Sequence, residues 1–219
     1  MKRRIITTAD GSQSIRIEEW DEQYHSKHGA VSESYHVFIN NGLHHLKRNP
    51  LAILEMGFGT GLNALISLIE GKKADLNIHY TAVEAFPLKV NEWKNLNYAE
   101  ALQADSFKKD FQLMHSGSWE EPVRITDSFL LTKLKTDMAT FCASAAFDLV
   151  YFDAFGFRVQ PELWTPAVFS NMFQSLNQGG ILVTYAAKGS VRRALQEVGF
   201  TVERLEGPPG KREMLRAVK

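Results

Sequence analysis

Glu55, Gly57, Gly59 and Gly61, spaced two apart, carry the densest chemical signal in the chain. They follow the apolar run 51–54 and lead into 62–69, which the pattern of apolar residues predicts to be a helix. A buried strand, a glycine turn and a helix N-terminus make a nucleotide-binding corner. Glycine allows the sharp turn and lets a ligand approach main-chain N–H groups closely. The spacing narrows the ligand. A pyrophosphate fingerprint reads G-x-G-x-x-G, whereas here the third glycine comes one residue early and Leu62 stands where that pattern needs Gly or Ala. A carboxylate ahead of the first glycine suits a cationic ligand better than a pyrophosphate. Phe58 and Thr60 fill the positions between the glycines. A turn of purely structural meaning is the competing reading.

The E-x-G-x-G-x-G form resembles the first motif of class I S-adenosylmethionine (SAM) methyltransferases. Three more acidic residues stand at predicted strand ends: Glu84, Asp137 and Asp153. In an open α/β sheet, ligands gather at the carboxyl ends of the strands. Glu84 lies about 20 residues past the glycine turn, where a carboxylate accepts both ribose hydroxyls. Asp137 and Met138 can frame an adenine, although a helix N-cap explains Asp137 equally well. Asp153, in Asp153-Ala154-Phe155, stands where the transferable methyl would project. An alkylammonium has no lone pair, so N-methylation needs its proton removed near the reacting geometry, and this carboxylate can bind the amine and take the proton. Phe155, Trp164 and Tyr185 can wall the pocket and shield the sulfonium or stack on a base. Helix core is the alternative for Trp164.

The elements that must position these residues follow from hydrophobic pattern. Residues 5–8, an Asp10-Gly11 turn and 15–17 predict an N-terminal hairpin. Ser32 is expected to start a helix, with Glu33 in its first turn. Residues 78–83 read as a strand, and Pro87 as the opening of a helix carrying Leu88, Val90, Trp93 and Leu96. A further helix is expected over 101–114, then a hairpin of 123–126 with 129–134. Strand 147–152, a helix through 164–176, strand 181–185, helix 191–198 and two closing strands complete the order. The alternation predicts an α/β fold: a doubly wound, mostly parallel sheet covered on both faces. Only a short Gly207-Pro208-Pro209-Gly210 connection separates the last strands, which are therefore expected to pair antiparallel. One domain over 1–219 is the expected organisation, with an N-terminal extension, 1–48, and a SAM-binding core, 49–219.

Composition sets outer bounds. The chain has 219 residues, 44% of them hydrophobic and 23% charged, ordinary values for a soluble globular protein. No apolar run approaches the ~20 residues needed to cross a bilayer, so no membrane partner is expected. Cys142 is the only cysteine, which fits a reducing, cytoplasmic setting. The seven histidines have no zinc-like spacing with cysteines, and no metal is expected. Lys plus Arg equals Asp plus Glu, at 25 each, so nucleic-acid binding would need a local basic face. Lys188 with Arg192 and Arg193, and Lys211 with Arg212, are candidates.

Six stretches then make the resemblance specific. They are Tyr24-His25-Ser26 with Glu33 and Val37-Phe38; the E-M-G-F-G-T-G-L-N run from Glu55 to Asn63; Phe152-Asp153-Ala154-Phe155; Pro161-Glu162-Leu163-Trp164-Thr165-Pro166; Thr184-Tyr185-Ala186-Ala187 with Val191-Arg192-Arg193; and Gly210-Lys211-Arg212-Glu213-Met214. Together they resemble the tRNA 5-aminomethyl-2-thiouridine methyltransferase family, in the family's order and across nearly the whole chain. The resemblance implies SAM contacts from Glu55, Gly57, Gly59, Gly61, Glu84 and Asp137, with Asp153 as amine-binding residue and base. It implies a substrate contact at Tyr24 and tRNA-facing roles for Lys188, Arg192, Lys211 and Arg212. The implied reaction is conversion of a wobble 5-aminomethyl-(2-thio)uridine to its 5-methylaminomethyl form. The family also occurs fused to a flavin oxidase half. No second nucleotide fingerprint is present here, so FAD is not expected, and a separate flavin oxidase is a possible partner.

Three other readings use the same residues. A methyl- or aminopropyltransferase for small amines needs the same corner and strand-end aspartate. A nicotinamide dehydrogenase lacks support from the third glycine and from the antiparallel ending. A binding module without catalysis would have no need of Glu55, Glu84 and Asp153 together.

Overall fold

The computed structural model describes residues 2–219. In chain order the strands and α-helices are β1 (Arg3–Thr7), β2 (Gln13–Ile17), β3 (Glu22–Gln23), α1 (Ala30–Ser34), β4 (Leu51–Met56), α2 (Leu62–Lys73), β5 (Ile78–Val83), α3 (Val90–Trp93), α4 (Tyr98–Ala101), α5 (Lys108–Ser116), β6 (Pro122–Thr126), β7 (Phe129–Leu134), β8 (Phe147–Phe152), α6 (Pro166–Ser175), β9 (Leu176–Thr184), α7 (Gly189–Glu197), β10 (Thr201–Glu206) and β11 (Glu213–Val218).

Eight strands form one sheet in the order β10-β11-β9-β8-β4-β5-β7-β6. The five central strands run parallel. Both edges are antiparallel, through β6 on β7 at one side and β11 and β10 at the other. The short connections inside these edge pairs leave no room for a crossover. β4 lies between β5 and β8, so the chain leaves it in one direction and later returns on its other side. That reversal is the topological switch point, and the carboxyl ends of β4, β5 and β8 converge there.

Alternation along the central strands feeds two cores. Ile53 and Tyr151 pack under α2 and the N-terminal helical segment, while Leu54, Val150 and Phe152 pack under α6 and α7. β8 is buried along its whole length, as a central parallel strand covered on both faces must be. In α2 every residue from Leu62 to Gly71 is buried, so the helix after the glycine turn is a core element.

Three local expectations need correction. The first helix begins at Ala30 and continues as a wide π-turn over Tyr35–Asn40. Ser32 does not cap it; the Asp10 carboxylate accepts both the Ser32 N–H and hydroxyl at 3.0 Å from across the hairpin. The segment expected as one helix over 101–114 is broken into α4, a 3-10 turn (Asp105–Phe107) and α5. Gln103, at φ +50°, takes the left-handed conformation that interrupts it. The helix after Pro87 is a single turn, and Glu92 accepts the Lys89 N–H at its start.

Candidate functional site

The glycine turn is held from two sides. Gly57 and Phe58 donate their N–H groups to the Val83 carbonyl at the end of β5. At Gly57, φ is +102° and an added Cβ would sit 2.8 Å from the Asp153 carbonyl oxygen. Glycine is thus required where the ends of β4 and β8 close on each other, a contact sealed by Asp153 N–H donating to the Met56 carbonyl at 3.0 Å. Glu84, buried, braces the turn through its side chain: Oε2 accepts the Gly59 N–H at 2.9 Å and Oε1 accepts the Phe86 N–H at 2.8 Å.

Beneath the turn lies a layer of aromatic rings with a buried lysine. His115 Nε2 donates to the Thr60 carbonyl at 3.0 Å, and its ring stacks on Trp93. Burial pulls the His115 pKa down to about 3, so the ring is neutral. Lys133 is buried too, with Nζ donating to the His115 carbonyl at 2.8 Å and lying 4.8 Å from the Trp119 ring centroid. Burial brings its pKa down to about 8.

A cavity of about 390 Å³ opens over this corner. Its size falls within the roughly 300–1,000 Å³ of small-molecule sites. Glu22, Glu33, Glu55, Glu84 and Asp153 all reach it, alongside Tyr24, Phe58, Met138, Phe155 and Tyr185. Such a lining favours a cation with an aromatic or apolar body. Asn63, in the first turn of α2, ties two of the carboxylates together. Its Nδ2 donates to Glu55 Oε1 at 3.0 Å and to Asp153 Oδ2 at 2.9 Å, while its Oδ1 accepts from Ser34 Oγ at 2.5 Å. Burial, followed by the Asp153 charge, pushes the Glu55 carboxyl well above the usual range. Burial, followed by the Glu33 charge, pushes Asp153 up to about 7. Among the described residues, no group of three or more His, Cys, Asp or Glu side chains could hold a metal ion.

The model of a family described as S-adenosyl-L-methionine-dependent methyltransferase matches residues 98–219, more than half of the chain. The chain belongs to this methyltransferase family. It is 28% identical over 211 residues to the tRNA 5-methylaminomethyl-2-thiouridine biosynthesis bifunctional protein MnmC of a Marinomonas species. To the protein of the same name from Ectopseudomonas mendocina it is 30% identical over 227 residues. Each match covers 90% of this chain but only 31% and 34% of the relative, so the chain spans about a third of their length. Among solved structures it is similar to MNMC2 from Aquifex aeolicus, with a TM-score of 0.79 and 27% identity over 99% of this chain and 69% of that one. Spermidine synthase from Thermotoga maritima, at 13% identity and a TM-score of 0.58, shares the fold alone.

In this methyltransferase the tertiary structure sorts the candidate residues. Glu55, Gly57, Phe58, Gly59, Thr60, Glu84, Met138, Asp153, Tyr24, Phe155, Tyr185 and Lys211 line the same cavity, and Gly61 at φ +74° caps α2 beside it. Trp164 does not reach the cavity. It is buried behind Phe155, donating its indole N–H to the Phe155 carbonyl at 2.8 Å and packing on Phe152, so it sets the wall without being part of it. Asp137 is exposed and off the cavity lining; its Oδ1 accepts the Ala139 N–H at 2.9 Å within a turn, and no helix follows for it to cap. Lys188, Arg192 and Arg212 lie outside the cavity. Lys188 sits 4.5 Å from the exposed Phe157 ring, Arg192 is half-buried on α7, and Arg212 is exposed. Asn63, Ser34, Glu33, His25 and His115 were not among the sequence candidates. Asn63 closes the run from Glu55, and His25 and Glu33 stand in the first of the resembling stretches. Ser34 and His115 had no such signal and meet the site through contacts across tens of residues.

Proposed function

We propose that this methyltransferase converts the 5-aminomethyl group of a tRNA wobble (2-thio)uridine to 5-methylaminomethyl. The observation that carries the reading is Asp153: a carboxylate at a central strand end, oriented by Asn63, facing an aromatic-walled cavity, with a pKa near 7. That pKa matches the task of accepting a proton at neutral pH. The relatives named MnmC and MNMC2 support tRNA as the substrate class.

The residues present fit SAM. Glu84 uses one lone pair on each oxygen for a backbone N–H, which leaves one on each for the two ribose hydroxyls. Met138, on the cavity wall, would pack against the adenine. Gly57 to Gly61 and Glu55 would hold the methionine portion, whose ammonium would favour the charged form of Glu55. Bound SAM supplies an electrophilic methyl on a sulfonium sulfur. Asp153 would bind the acceptor ammonium and take one proton, freeing an amine lone pair for the methyl group. Tyr24, Phe155 and Tyr185 surround the reacting amine, keep water out and present ring faces to cationic groups.

Lys188 beside Phe157, with Arg192 and Arg212, forms the proposed RNA-facing side. The reading places the protein in the cytoplasm. The aminomethyl precursor would come from another catalytic unit, with a flavin oxidase as the proposed partner. The deciding experiment offers labelled SAM to bulk tRNA carrying 5-aminomethyluridine and identifies nucleosides by mass spectrometry. Conversion to 5-methylaminomethyluridine is expected. No transfer by protein that still binds SAM would overturn the tRNA assignment.

A further inference from the structure

Lys211 reaches from the connection between β10 and β11 to the N-terminal segment. Its Nζ lies 2.6 Å from Glu33 Oε2 and 3.7 Å from the centroid of the Tyr185 ring. The other Glu33 oxygen accepts the Ser26 N–H at 3.0 Å, which fixes the carboxylate. Glu33 is buried, whereas the Lys211 side chain keeps 32% of its surface exposed. A Cβ at Gly210 would come within 2.1 Å of the His28 ring, so this connection is seated directly on the loop that frames the cavity. Lys211, Glu33, Tyr185 and Asp153 all face the same cavity.

A fixed carboxylate on one side and an aromatic face on the other make a site for an alkylammonium. Here the chain's own lysine fills it. An aminomethyl acceptor ends in the same chemical group, and the two cannot share the site. A lysine that leaves a carboxylate needs another anion, and an RNA backbone supplies phosphates.

We propose that Glu33 and Tyr185 form a second ammonium subsite beside Asp153, and that Lys211 is its latch. It fills the subsite in the free protein and moves to an RNA phosphate as the acceptor's aminomethyl group enters. The inference rests on the acceptor being an aminomethyl-uridine within tRNA. It makes Lys211 a specificity-determining residue, because a small free amine brings no phosphate and must displace the lysine unaided. The exchange makes and breaks no covalent bond.

The test measures kcat and KM with two acceptors, tRNA carrying 5-aminomethyluridine and the free 5-aminomethyluridine nucleoside. The proteins are wild type, K211M, K211Q, K211R and E33Q, each checked for SAM affinity as a measure of folding. For K211M and K211Q the nucleoside kcat/KM should rise about 5-fold through KM, while that for tRNA falls about 10-fold. K211R should keep the wild-type preference, and E33Q should raise KM for both acceptors. Neutral variants that bind SAM but lower both acceptors alike, or leave the nucleoside KM unchanged, would overturn the latch alone. A wild type active on neither acceptor would remove the tRNA assignment and the latch with it.

Discussion

Asp153 shows how one residue's position sets its chemistry. A solvated aspartate is ionised throughout the neutral range and is a weak base. Here burial disfavours the charge, the nearby Glu33 charge adds to that, and Asn63 offsets only part of it. With the pKa raised to about 7, the free protein carries the basic carboxylate above that pH and the protonated acid below it. The kcat/KM for transfer should therefore fall on the acid side with a midpoint near pH 7. His25 and His115, lowered by burial to about 4 and about 3, do not titrate in that window. An acid limb that stays in place in Asp153→Asn would assign it to another group. Asp153→Ala should lower kcat by roughly 10²–10⁴-fold. Calorimetric SAM affinity should be largely retained, and undiminished turnover would refute the base.

At the scale of elements, the strand–turn–helix unit of β4 and α2 rests on α5 through one imidazole. His115 satisfies the Thr60 carbonyl in the turn, and its ring lies where any Cβ at Gly61 would meet it at 2.9 Å. Removing the ring leaves the carbonyl unpaired and the turn less restrained, at a cost of about 1–3 kcal/mol. His115→Ala should weaken SAM binding about 10-fold and leave kcat at saturating SAM nearly unchanged. Unchanged affinity would show that the turn is held without it. The same residue has a pH signature. Its folded pKa lies below the ordinary 6.5, so its stabilisation is complete above that pH. It is lost as pH falls toward 3, because the unfolded chain takes a proton that the native state refuses. The stability gap between wild type and His115→Ala in urea titrations should therefore narrow from pH 7 to pH 5.

Across the whole molecule, the N-terminal segment is part of the core. Val37, Phe38 and Ile39 are buried, and the Phe38 ring lies 5.1 Å from that of Tyr151 on β8, beneath the switch point. This docking brings Tyr24, His25 and Glu33 over the cavity. Phe38→Ala should cost about 3–5 kcal/mol of stability, the usual range for emptying a buried aromatic site. The loss should appear as a lower urea midpoint with an unchanged slope. A shift below about 1 kcal/mol would mean that the segment is only loosely applied to the sheet.

Local pattern made much of this architecture legible. The apolar runs, the glycine spacing, the strand-end carboxylates and the short connection before the last strand each lie within a few residues, where periodicity and turn geometry act. So the parallel sheet, its antiparallel ending and the corner at Glu55 to Gly61 could be read directly. Pairings across long stretches of chain could not. Asn63 meets Asp153 across 90 residues and Glu33 meets Lys211 across 178. The Asp10 cap on α1, the burial of Trp164 behind Phe155 and the break at Gln103 likewise depend on what the rest of the chain packs against them. Residue types and spacing determined which chemistry the corner can host. Only the packing of distant segments decided the charge state of Asp153 and which cation stands beside it, because desolvation and ion pairing are properties of the assembled cavity.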